Sequence, residues 1–91
     1  MRDMGITHRE FFRGLPAALG GRPHVLREGT RIEVDGPEGR IVIRLGPQRE
    51  RRIAALCLPV TRVEIDLDGY SEAAVAAFMR EFDMHFQRGG G

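Results

Sequence analysis

Lysine, tryptophan and asparagine are missing from this 91-residue chain, and cysteine occurs once, at Cys57. With a single thiol no disulfide can form within the chain, so the fold must be held by its core, and the composition fits a reducing compartment. Long apolar runs are also missing. None could span a bilayer and no signal-peptide pattern opens the chain, so the expectation is a cytoplasmic protein without a membrane partner. The formal net charge of +1 leaves out the strongly basic proteins that bind polyanions through bulk charge. Base stacking needs exposed aromatics beside basic side chains, and the only loop aromatic is Tyr70, so nucleic acid is not an expected partner. All 14 basic residues are arginine. Guanidinium groups favour bidentate carboxylate or phosphate contacts, but codon usage in a GC-rich genome explains the same bias, and the count alone supports no function.

What is present is enough for one modest core. A hydrophobic content of 42% in 91 residues suits a single domain over 1–91, with 1–5 and 89–91 expected as flexible ends. The chain is organised around Thr61–Arg88. Thr61–Asp68 alternates without a fault, Val63, Ile65 and Leu67 on one face and Arg62, Glu64 and Asp66 on the other, which predicts a half-buried strand. Gly69-Tyr70 breaks it, and Ser71 is placed to cap a helix whose Val75, Phe78, Met79, Phe82 and Phe86 recur at steps of three and four. Glu72 suits the positive end of that helix's dipole.

At the other end, Thr7-His8-Arg9-Glu10 matches a capping box, with Ile6 and Phe11 placed as a hydrophobic staple. A helix from His8 follows, offering Phe11, Phe12, Leu15 and Leu19 for burial. Gly14 and Pro16 predict a kink or a second short turn after Gly14, and Gly20-Gly21 ends the segment. His24–Arg27 is too brief to assign. Thr30–Asp35 and Arg40–Leu45 both alternate, and folding the chain about the 36–39 turn pairs Asp35 with Arg40, Val34 with Ile41 and Ile32 with Ile43. Gly46–Arg52 reads as a polar connection. Ile53–Leu58 is apolar on both faces, the pattern of a strand with neither side in water. A turn at Pro59-Val60 would pair Leu56 with Val63 and Ala54 with Ile65. The expected fold is α+β, α-β-β-β-β-α, a four-stranded antiparallel meander with both helices on one face.

No catalytic or ligand signature rises above the background. His8, His24 and His85 with Cys57 lack the paired short spacings of a zinc site, so no metal or other cofactor is expected, and His85 near a helix C-terminus is explained by the dipole. Cys57 as a nucleophile would need a nearby base, and a small strand residue is the ordinary reading. Asp66 and Asp68, two residues apart on one face, read as a solvated strand surface rather than an acid–base pair. The terminal Arg-Gly-Gly triplet is a single copy and carries nothing.

Two arrangements carry a functional expectation. The first is an interaction face on the side of the sheet away from the helices. Val42, Ile53, Ala55 and Cys57 form an apolar strip there, framed by Arg40, Arg44, Arg62 and Glu64, an apolar centre with a charged rim. It would serve a weak homodimer or a protein partner. The second is an anion site made by Arg44, Arg49, Arg51 and Arg52, where convergent guanidinium groups suit phosphate. An enzyme is not expected, because no nucleophile, base and orienting group can be assembled.

Overall fold

The computed structural model describes residues 2–36 and 38–88. Its elements are β1 (Arg2–Met4), α1 (His8–Ala18), β2 (His24–Arg27), β3 (Arg31–Asp35), β4 (Arg40–Leu45), β5 (Arg49–Ile53), β6 (Leu56–Asp68) and α2 (Glu72–Arg88). The α+β fold is as expected, with a larger sheet. Six strands replace four, in the order β1-β6-β4-β3-β2, and β5 pairs with β6 outside that path.

Local chemistry sets both helix starts. The Thr7 hydroxyl accepts from the Glu10 N–H at 3.1 Å, and Glu10 Oε1 accepts from the Thr7 N–H at 3.0 Å and from its hydroxyl at 2.9 Å. The Thr7 backbone N–H, then its hydroxyl, hold the Glu10 carboxyl below its ordinary pKa. At α2 the Ser71 hydroxyl accepts from the Ala74 N–H at 3.2 Å. The second short turn expected as one outcome after Gly14 does not form, and α1 is a single helix that runs through Pro16 to Ala18. Gly14 is instead a contact point. A Cβ there would come within 3.0 Å of the Phe86 ring, so its bare backbone lets α2 close on α1. Phe86 then stacks on Phe11 with centroids 5.0 Å apart and planes 6° from parallel.

Both helices cover one face of the sheet. The buried cluster joins Phe11, Leu15 and Leu19 of the first helical segment, Phe78, Phe82 and Phe86 of α2, and Ile32, Val34, Ile41, Ile43 and Val63 of the strands. The β3–β4 register is the expected one, with Asp35 opposite Arg40, Val34 opposite Ile41 and Ile32 opposite Ile43. His24–Arg27 proves to be the edge strand beside β3.

Three expectations are corrected. Residues 2–4 are not a loose end but a strand on Thr61–Val63; Met1 and Gly89–Gly91, which include the Gly-Gly of the terminal triplet, lie outside the described residues. Next, Arg49–Arg52 is strand rather than polar connection, because β6 extends far enough to pair with it. Finally, the chain does not turn at Pro59-Val60. It turns at Ala54-Ala55, with Ala54 at φ +55°, and β6 passes straight through Pro59. Leu56 therefore faces Ile53 across the hairpin, not Val63.

Candidate functional site

The strand β6 has 13 residues, longer than the sheet beside it. Its second half pairs with β4, Leu45 opposite Val63. Its first half pairs with β5, Arg49 opposite Val60. Between those two registers, residues 46–48 face only residues 61–62, so one extra residue is accommodated there as a bulge. The bulge is pinned from α1: His8 Nε2–H donates to the Gly46 carbonyl and the His8 backbone N–H to Gln48 Oε1, both at 2.8 Å. Beyond this anchor β5 and the start of β6 project as a two-stranded arm. Every β5 side chain is exposed, and the longest dimension of the molecule is 45 Å. A 13-residue strand spans about 43 Å, a length that matches this dimension.

Because the bulge shifts the phase by one residue, the outward face of the arm carries odd-numbered β5 residues. Counting by alternation from buried Thr61 and Val63, that face holds Ile53 beside Leu56, Arg51 beside Leu58 and Arg49 beside Val60. Ile53, Leu56 and Leu58 are 51%, 63% and 44% exposed. The opposite face of the arm carries Glu50 beside Pro59 and Arg52 beside Cys57.

The expected interaction face is thus divided between two places. Arg40, Val42, Arg44, Arg62 and Glu64 do share the outward side of the main sheet, but the surface there is a lattice of charges. Arg44 pairs with Asp66 at 2.6 Å, Arg62 with Asp3 at 3.1 Å, Arg40 with Asp35 at 3.6 Å, and Glu33 bridges Arg27 and Arg31 at 3.2 and 3.3 Å. The hydrogen bond from Arg27, opposed in part by desolvation, holds Glu33 below its ordinary pKa. Such exposed pairs contribute little stability and leave Val42 half-buried among charges. Ile53, Ala55 and Cys57 belong to the arm and not to a strip with Val42. Of these only Ile53 has the expected outward phase within a strand. Ala55 sits in the turn, and Cys57 lies on the other face with Arg52 as its cross-strand neighbour.

The four-arginine cluster also separates. Arg44 is committed to Asp66, and Arg52 projects from the opposite face of the arm. Arg49 and Arg51 remain together and meet Arg62 instead, around a shallow cleft of about 220 Å³ also lined by Asp3, Glu50 and Val60. Among the described residues no three His, Cys, Asp or Glu side chains gather as metal ligands, and no helix is long and apolar enough to cross a membrane.

Leu56 and Leu58 were missed as surface residues because an apolar run reads as core. One signal marked them. Pro59 cannot donate to a ladder and so belongs on a strand with a free edge. The edge is identifiable here. Arg62 O accepts from the Gly46 N–H at 2.8 Å, so the even residues of β6 turn their backbone groups toward β4 and β5. Pro59 turns toward the β1 side, where its carbonyl faces Gly5, and its missing N–H falls on the edge that β5 does not use.

No protein family, curated protein or solved structure matches this chain, so its functional reading rests on the arm and the sheet themselves.

Proposed function

We propose that the protein is a non-enzymatic interaction module that makes its contacts through the outward side of the sheet, with the β5–β6 arm as the principal contact. One observation carries this reading: Ile53, Leu56 and Leu58 sit together on one face of a projecting ribbon, half or more of two of them in water. Singly exposed apolar residues need no explanation, but three grouped on an arm that adds nothing to the core do. Arg49 and Arg51 border them, giving an apolar centre with a charged margin. The patch is small, so the contact is weak and transient, not obligate.

Sedimentation velocity over a concentration series tests this. The expected result is a reversible rise in mass at high micromolar concentration that Leu56→Glu abolishes without lowering the melting temperature. Association that survives Leu56→Glu would remove the apolar face of the arm from the interface.

A second reading has its own observation, the cleft between Arg49, Arg51 and Arg62. Arg49 and Arg51, with no ion-pair partner among the described residues, stand there beside Arg62, which Asp3 already holds, and two such guanidinium groups on one cleft suit an oxyanion. Phosphate titration in low salt would then move the amide resonances of residues 49–51 and 60–62, and the effect would fade with added salt. Unmoved resonances would dismiss this reading.

A further inference from the structure

The free edge of β5 has a geometry that selects its occupant. Since Arg62 O accepts from Gly46 N–H, and Pro59 turns away from β5, the pairs Arg49–Val60, Arg51–Leu58 and Ile53–Leu56 are the hydrogen-bonded ones. The N–H and C=O groups of Glu50 and Arg52 therefore point outward, to the side of β5 where no strand of the described residues lies. Two donors and two acceptors are presented in a row, which is the template for adding another strand.

We infer that this edge pairs with the same edge of a second copy, antiparallel and about a two-fold axis at Arg51. The inference rests on the arm being the contact surface and names its occupant and register. In that register Glu50 lies opposite Arg52 of the second copy and Arg52 opposite its Glu50. Those are the residues whose backbone groups face outward, so each pair exchanges both of its N–H to O=C bonds. Each also sets a carboxylate against a guanidinium on the same face. Arg49 falls opposite Ile53 of the second copy, where its methylene stem can cover the isoleucine while its head stays in water. Glu50, Arg51 and Arg52 have no ion-pair partner within their own chain among the described residues, so none has to be broken.

Neighbouring registers fail for identifiable reasons. A two-fold axis perpendicular to the ladder admits only shifts that keep side-chain faces matched, so the alternatives centre on Glu50 or Arg52. Centring on Glu50 drives the second copy's Ala54-Ala55 turn to the level of Gly46. The β2–β3 turn already stands there, with Thr30 O accepting from the Leu45 N–H at 2.8 Å. Centring on Arg52 places Glu50 against Ala54 of the other turn and forfeits both charge pairs. The Arg51 register leaves the second arm ending just short of Thr30, in line with β3. Its one unfavourable contact is Arg51 against Arg51 across the axis, and both side chains are exposed and free to turn outward. Arginines along an edge can also serve to keep strands apart, which is the outcome the experiment must separate.

Cross-linking tests the register in a Cys57→Ser background at concentrations where the wild-type chain associates. The Arg51→Cys variant should form a disulfide dimer with itself, since non-hydrogen-bonded antiparallel partners lie about 4.5 Å apart at Cα, within disulfide range. Glu50→Cys and Arg52→Cys should each stay uncross-linked alone, their copies being two residues out of line at roughly 8–9 Å. Mixed together, those two should cross-link with each other. A charge cycle gives a second readout. Glu50→Arg and Arg52→Glu should each weaken association severalfold, and the double variant should restore it. If Leu56→Glu abolishes association but the cysteine pattern differs, the register is overturned and the arm reading stands. A wild-type chain that remains monomeric at millimolar concentration overturns pairing altogether and makes the arginines guards of a free edge.

Discussion

Thr61 shows how much a single side chain decides. It is fully buried, the only polar residue of the described core, and its hydroxyl donates to the Ile6 carbonyl at 2.8 Å, tying the segment before α1 to the centre of β6. Thr61→Val keeps the volume and removes the donor, leaving a carbonyl without its partner; the expected loss is about 1–3 kcal/mol. Phe82, also fully buried and in ring contact with Phe11, Phe78 and Phe86, should cost about 3–5 kcal/mol when cut to alanine. Leu56→Ala, on a side chain 63% exposed, should stay within about 0.5 kcal/mol. Urea denaturation of the three variants checks the order. A Leu56→Ala loss comparable to that of Phe82→Ala would mean the arm folds back on the core.

Among the elements, α1 carries the most specific local instruction, the capping box of Thr7 and Glu10. The Glu10 carboxyl is held below its ordinary value by the Thr7 N–H and hydroxyl. A depressed carboxylate stabilises the folded state above its unfolded pKa, and that contribution disappears as pH falls through the lower, folded value. A carbon-detected NMR titration should therefore find Glu10 titrating below the ordinary glutamate value, as should Glu33, which its arginine hydrogen bond lowers. Thr7→Ala should bring Glu10 back up. An unchanged Glu10 midpoint in that variant would show that the box is not formed in solution. The arm is the contrasting element. Its register is fixed at one end by the bulge that His8 anchors and at the other by a turn of two alanines, one of them in the left-handed region that disfavours a side chain.

Taken whole, the molecule is a packed body at one end of a long ribbon. Stability should grade along β6, because β4 and the second half of β6 are covered by the helices while β5 is exposed on every side chain. Hydrogen exchange in dilute protein should be slowest at Ile41, Ile43 and Val63 and fastest in the arm, with Glu50 and Arg52 unprotected. Raising the concentration should protect those two amides selectively if the edges pair. Uniform exchange rates from body to arm would contradict the gradient.

The sequence by itself determined the parts governed by neighbours in the chain. The capping box, the Ser71 cap, the phenylalanine stripe of α2 and the β3–β4 register all depend on contacts a few residues apart, and side-chain type and spacing specify them. Tertiary structure decided the rest. Arg49–Arg52 has the composition of a loop and becomes a strand only because β6 is long enough to pair with it, and residues 2–4 become one because they pair with β6 at Thr61–Val63, on the edge opposite β4. The apolar run from Ile53 to Val60 gives no turn residue away, since Ala54-Ala55 lacks the glycine or asparagine that usually marks a two-residue hairpin. Where the chain reverses was therefore set by which partner each half of β6 found. That choice moved Leu56 from the expected core to the tip of the arm. It also divided the anticipated apolar strip and replaced Arg44 with Arg62 beside Arg49 and Arg51.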